Sequence, residues 1–215
     1  MKLLKFVKID FIRCKTNRFV LLLWPFAILA VTLFSADATP LFLYLYCLFG
    51  GIVFSTIPLS LNSRSSSGFL KMLPAQEGDE VRGHFLFSFC LLVLSILFAL
   101  TATQGVHMYR PAFSAPPAEQ ALLLFSASLL IAALQNLLLC IFQNNNVQAM
   151  QLLRIGPAFL FYFGGLFAAK HLPKLHRIFM GWLQLRNVCL LLLICVLFYC
   201  IIAQLSAVLT SRRDY

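Results

Sequence analysis

Residues 188–210 read VCLLLLICVLFYCIIAQLSAVLT, a run without a single charged side chain. A helix needs roughly 20 apolar residues to cross the hydrocarbon core of a bilayer, which is about 30 Å thick. In such a helix the segment satisfies its own backbone hydrogen bonds, so it does not require water. This run therefore predicts a membrane-spanning helix and sets the class of the protein.

Five further apolar runs precede it. The predicted spans are residues 19–36, 41–61, 84–104, 121–142, 152–169 and 188–210, within one transmembrane domain, 19–210, that a short cytoplasmic tail, 211–215, follows. Of the 215 residues, 61% are hydrophobic and 11% charged, whereas a soluble domain carries roughly 25% charged residues. The composition excludes soluble enzymes, secreted disulfide scaffolds and disordered chains. We predict an all-α integral membrane protein with six transmembrane helices.

The N-terminal residues 1–18 are basic and contain one acid, Asp10. On a helix, one face would carry Leu3, Leu4, Val7, Phe11 and Cys14. We therefore predict an amphipathic interfacial helix on the cytoplasmic leaflet. A cleavable secretory signal is the alternative, because the small residues Ala36-Asp37-Ala38 follow an apolar run.

The distribution of basic residues predicts the orientation. The chain has 17 Lys and Arg against 7 Asp and Glu, a net charge of +10. Cytoplasmic loops are enriched in Lys and Arg. With the N-terminus inside, 12 basic residues fall inside and 5 outside, which predicts a multi-pass protein of the cell membrane (plasma or inner) with both termini cytoplasmic. No basic patch lies on a soluble element, so we predict no binding to nucleic acid.

The loop 170–187 is the exception to this charge bias. It carries four of the five outside basic residues, and its large apolar residues recur at helical spacing. A re-entrant or amphipathic segment at the outer surface explains it. A topology of five spans, with this loop inside, is the competing interpretation. The side of the membrane on which Tyr215 lies separates the two.

Chemistry within the membrane is sparse. All seven acids lie outside the predicted spans, and the sequence contains no G-x-x-x-x-G-K-[ST] loop for phosphate. The four histidines, His84, His107, His171 and His176, are interpreted as scattered interfacial residues. We predict no catalytic, cofactor-binding or metal-binding residue. A stand-alone ion-coupled transporter is disfavoured, because such proteins usually carry an ionisable residue within the membrane.

Two features inside the spans stand out. Gln135 and Asn136 lie in the middle of the fourth predicted span, where they either hydrogen-bond neighbouring helices or line a substrate pathway. Gly50-Gly51 and Gly164-Gly165 permit close helix approach at corresponding places in the two halves. That correspondence is a hint of a repeat of three plus three spans.

The longest predicted cytoplasmic loop, residues 62–83, is the most informative segment. Four apolar residues stand where water is expected, then a proline and an acidic cluster follow. Together with Arg82, the set comprises Phe69, Leu70, Met72, Leu73, Pro74, Glu77, Asp79, Glu80 and Arg82. Proline can begin a helix and acids suit its first turns, so we expect a short helix across the cytoplasmic face.

At these residues the chain resembles the small six-span membrane subunits of ABC-2 type transporters. Their corresponding stretch reads approximately F-x-x-x-L-P, then a valine, then Lys-Tyr as span three begins. Phe69, Leu73, Pro74 and Val81 match it, whereas His84-Phe85 stands where Lys-Tyr is usual. The polar break 142–148 after span four, the basic ending and the basic opening are similar too.

The resemblance implies an exporter in which the membrane pathway and the ATPase are separate subunits. This chain would form the pathway, as a homodimer or paired with a similar subunit, and a separate ATPase subunit would bind ATP and Mg. The loop residues from Phe69 to Arg82 would couple the two. Few charges in the spans favour a hydrophobic peptide or lipid as substrate. The alternatives are an accessory or structural membrane protein and, less favoured, a membrane enzyme acting on lipids.

Overall fold

The computed structural model describes residues 2–13, 18–35, 39–57, 77–113, 116–142, 152–153, 155–160, 162–164 and 184–211. The helices are α1 (Lys2–Arg13), α2 (Arg18–Phe34), α3 (Pro40–Ser55), α4 (Glu77–Tyr109), α5 (Ala118–Phe142) and α6 (Leu185–Ser211). Residues 155–160 and 162–164 are also helical, and the described residues include no strand. The prediction of an all-α protein is confirmed.

Several predicted features lie outside the described residues. These are the loop segment 58–76, the polar break from residue 143 to 148, the end of the fifth span with most of the loop 170–187, and the tail from residue 212. The assignments made for them stay predictions.

Three helices are long and apolar enough to cross a membrane. They are Gly78–Tyr109, Ala118–Phe142 and Leu185–Ser211. Helices α2 and α3 have 17 and 16 residues, which at 1.5 Å per residue gives about 25 Å. The prediction of membrane-spanning helices is thus confirmed for α4, α5 and α6, whereas six crossings remain a prediction.

Helix α4 begins earlier than the sequence indicated. It starts at Glu77 rather than near His84, and residues 77–83 are continuous with the apolar part of the helix. The expected separate short helix is therefore wrong for these residues. No proline follows Pro74 in this stretch, and acids at a helix start are favoured by its dipole, so nothing interrupts the helix. Its 33 residues span about 50 Å.

Helix α5 is the most buried of the three long apolar helices. In its most apolar window 56% of residues are buried, against 22% in α6. The main core joins α3, α4, α5 and α6, through residues such as Ile52, Phe85, Leu129 and Ile202. Most of the outward side chains of α6 are apolar, chiefly leucine and isoleucine, as expected of a helix that faces lipid.

Helices α2 and α3 meet at a glycine. The Trp24 indole Nε1 donates to the Tyr46 carbonyl at 3.2 Å, and a Cβ added to Gly50 would overlap that indole. A Cβ on Gly51 would lie 2.6 Å from Ser95 Oγ of α4. Close approach at Gly50 and Gly51 is therefore confirmed.

The second glycine pair behaves differently. Nothing lies within 4 Å of a Cβ built on Gly164, and Gly165 is outside the described residues. The structure therefore adds no support for a repeat of three plus three spans.

Polar contacts tie the end of α2 to the end of α4. The Arg110 guanidinium donates to the Ser35 carbonyl at 2.9 Å, and His107 Nδ1 lies 3.1 Å from the Phe113 carbonyl oxygen. His107 is thus an exposed residue that closes the turn after α4. The other end of the bundle, where α1, the start of α4 and the end of α6 lie together, we call the base.

The glycine contact gives the first prediction. Gly50→Ala should lower the melting temperature of the purified protein, because overpacking costs about 1–3 kcal/mol and exceeds the gain in helix propensity of about 1 kcal/mol. The matched control is Gly105→Ala in α4, where nothing lies within 4 Å of the new Cβ, and it should keep or raise that temperature. Equal effects of the two substitutions on thermal unfolding in detergent would contradict the packing.

Candidate functional site

The structure describes the predicted coupling residues only from Glu77 onward. Phe69, Leu70, Met72, Leu73 and Pro74 lie outside the described residues. Glu77, Asp79, Glu80 and Arg82 form the first turns of α4. The acidic part of the predicted coupling segment therefore belongs to the base of the bundle and is rigidly continuous with α4.

Arg82 joins the start of α4 to the end of α6. Its Nε donates to Gln204 Oε1 at 2.9 Å, and its Nη1 lies 3.4 Å from Asp79 Oδ1. A Cβ on Gly78 would lie 3.6 Å from that of Ala207, so the two helices also touch there. The Arg82 side chain is 39% exposed, and an ion pair so exposed contributes little to stability. The contact sets the relative position of two helix ends.

A buried hydrogen bond between a histidine and a carboxylate joins α1 to α4. His84 Nδ1 lies 3.2 Å from Asp10 Oδ2, and the two side chains are 2% and 5% exposed. The imidazole Nδ1–H donates to the carboxylate. Around it, Val7 packs with Ile57 and Phe87. Because a buried polar group that lacks a hydrogen bond is strongly unfavourable, this contact favours the docking of α1 against α4.

Sequence reasoning missed this pair. In the sequence, Asp10 lies among basic residues and outside every apolar run, which gives no indication of burial, and His84 is interpreted as one of several interfacial histidines. The available signal was spacing. Phe6 and Asp10 are four residues apart and therefore share a helix face, and both are buried. The predicted apolar face, by contrast, leaves Leu4 and Phe11 67% exposed.

Gln135 and Asn136 are fully buried on α5. Asn136 Nδ2 donates to Ser88 Oγ of α4 at 3.1 Å, which is what the interhelical interpretation expects. Tyr199 of α6 donates from its hydroxyl to the Phe85 carbonyl at 2.7 Å. Polar side chains thus connect α4 to α5 and to α6 within the apolar core. A role of Gln135 and Asn136 in a substrate pathway stays a prediction.

The described residues offer no site for a metal, since no three His, Cys, Asp or Glu side chains among them come together. The base instead joins three helices to one another. Through Arg82 and His84, the first two turns of α4 hold both α6 and α1.

The pair of Asp10 with His84 gives the second prediction. Asp10→Ala and His84→Ala should each lower the free energy of unfolding by about 1–3 kcal/mol, because each removes one partner of a buried hydrogen bond. The double variant should lose much less than the sum. Thermal unfolding of the four proteins of this cycle in detergent measures the coupling, and Lys8→Ala, on the exposed side of α1, is the control. Additive losses would show that the two groups do not interact.

Comparison with known proteins adds the family. A family model described as ABC-2 family transporter protein matches residues 5–212, nearly the whole chain, from the start of α1 to the end of α6. Comparison with curated proteins and with solved structures gave no match. The resemblance inferred from the loop residues is confirmed. The chain belongs to the ABC-2 transporter family, as a membrane component of an ABC transporter.

Proposed function

We propose that this protein is the pathway-forming membrane subunit of an exporter that a separate ATPase subunit drives. The family match across residues 5–212 carries the proposal. The long apolar helices α4, α5 and α6 supply the membrane part. Family membership favours transport over an accessory or structural role.

ATP and Mg would bind to the partner subunit. The sequence of this chain has no phosphate-binding loop, so the energy must arrive mechanically. Two copies of this chain, or this chain and a similar one, would complete the pathway. We expect no catalytic residue here.

The coupling surface would consist of the apolar residues before Pro74 and the acids after it. Burying a large apolar side chain that would otherwise face water lowers the free energy by about 1.5–3 kcal/mol. Four such side chains, Phe69, Leu70, Met72 and Leu73, on a polar loop therefore favour a groove on the ATPase subunit. Glu77 and Glu80 would then meet basic residues at the rim of that groove.

The base supports this transmission. Because residues 77–109 form one helix, a push at its first turn displaces α4 along its length. Arg82 would carry the displacement to α6 through Gln204, and His84 would carry it to α1 through Asp10. Rigid movement of packed helices is a common way to open and close a pathway.

Orientation and substrate complete the proposal. The excess of 12 basic residues over 5 supports a cell-membrane protein with both termini cytoplasmic, and in that orientation the base would face the ATPase subunit. Most outward side chains of α6 are apolar and the described spans hold no exposed acid, so a hydrophobic peptide or a lipid-like molecule suits the pathway better than an ion or a sugar.

The third prediction tests the coupling surface. Phe69→Ala combined with Leu73→Ala should weaken association with the ATPase subunit at least roughly tenfold, because two buried apolar side chains are lost. Co-purification of the ATPase measures the association, and recovery in the membrane fraction measures insertion. The control is Leu193→Ala with Leu197→Ala, which removes two outward leucines of α6 and should not affect association.

A second set of variants in the same experiment removes acidic residues of the coupling surface. Glu77→Gln with Glu80→Gln should weaken association further and reduce its dependence on salt, because interfacial charge pairs are screened. Equal recovery of the ATPase with every variant, at both low and high salt, would remove the coupling role. Loss of the membrane protein itself would show that the apolar cluster packs on its own helices.

A further inference from the structure

The side of α1 that faces away from the bundle combines basic and apolar residues. Phe6 and Asp10 are buried, whereas Leu4, Lys5, Lys8, Phe11 and Ile12 are exposed. We call these five residues the outer face of α1. At 100° per residue, Lys8 lies opposite the buried side and the other four flank it.

The burial of Asp10 leaves the outer face without an acidic residue of α1. Asp10 is the one acid in the sequence of α1, and it is turned inward and paired with His84. Were α1 free to rotate, the carboxylate could lie beside the lysines and neutralise part of their charge. In the docked helix Lys5 and Lys8 have no acid of α1 on their side.

The apolar residues of the outer face indicate a boundary rather than bulk water. Leu4 and Phe11 are each 67% exposed and Ile12 is 57% exposed, a high exposure for such large side chains. At a bilayer surface these groups reach the boundary between headgroups and acyl chains. Lysine side chains there extend their ammonium groups to the phosphates.

We propose that the outer face of α1 is a binding site for anionic phospholipid headgroups. Lys5 and Lys8 contact the phosphates, Leu4 and Phe11 enter the apolar boundary, and the pair of Asp10 with His84 holds the helix in the rotation that presents them. The site rests on the proposed function only in that the cytoplasmic leaflet supplies the anionic lipid.

The test uses the full chain in lipid nanodiscs. Phe11→Trp places a fluorophore on the outer face, and the background from Trp24 and Trp182 is measured with the unmodified protein. The discs contain phosphatidylcholine and a fixed fraction of either brominated phosphatidylglycerol or brominated phosphatidylcholine. We expect the anionic lipid to quench the introduced tryptophan more strongly at low salt, with a local enrichment of roughly fivefold per lysine, and the difference to fall at high salt.

Matched variants locate the effect. Lys8→Gln should reduce the preference for phosphatidylglycerol and Lys5→Gln with Lys8→Gln should abolish it, whereas Arg186→Gln, which removes one exposed charge at the far end of α6, should not change it. As a second measurement, mass spectrometry of lipids retained on the purified protein should show the same loss without the tryptophan.

Two results would overturn the proposal. Equal quenching by both lipids would show that the face does not select anionic headgroups. Quenching by neither would show that the face is not on the bilayer, and would point to a protein partner instead. The assay contains no ATPase and reads either leaflet, so its outcome is separate from that of the exporter assignment, which co-purification decides.

Discussion

Asp10 and His84 face each other across 3.2 Å in a part of the protein that water does not reach. In so apolar a chain, a polar group that leaves water must find its partner within the protein. A buried polar pair of this kind penalises arrangements that separate its members, because each would lose a hydrogen bond away from water. The pair therefore specifies how α1 docks, and the position of α1 beside α4 follows from it.

The same constraint shapes the remainder of the bundle. Asn136 with Ser88, and Tyr199 with the Phe85 carbonyl, join α4 to its two neighbours in the core. Arg82 joins α4 to α6 at the base. Helix α4 thus takes part in each of these polar contacts. If a separate ATPase subunit drives the protein, as we propose, a helix with that many fixed partners would be well placed to spread a displacement, and its first turn adjoins the predicted coupling segment.

Much of this was predictable from the sequence, because long uncharged runs have few alternatives to a membrane helix. The family was recognisable from Phe69, Leu73, Pro74 and Val81, and close approach from Gly50-Gly51. The first residue of α4 could not be predicted from the sequence, since hydropathy marks where a helix becomes apolar and not where it begins. The contact between Asp10 and His84 was missed for a similar reason. Asp10 lies in a helix of low mean apolarity, and its partner is 74 residues away, a tertiary contact that no local pattern encodes.

Docking of α1 through Asp10 and His84 is the central claim, and hydrogen exchange of the backbone amides tests it most directly. In the intact protein in nanodiscs, mass spectrometry should show amides 6–12 exchanging as slowly as those at the start of α4. In His84→Ala these amides should exchange much faster, while residues 121–140 of α5 are unchanged, because local opening exposes only the helix that has lost its anchor. Slow exchange of α1 in both proteins would contradict the claim, since α1 would then be held by something other than the pair.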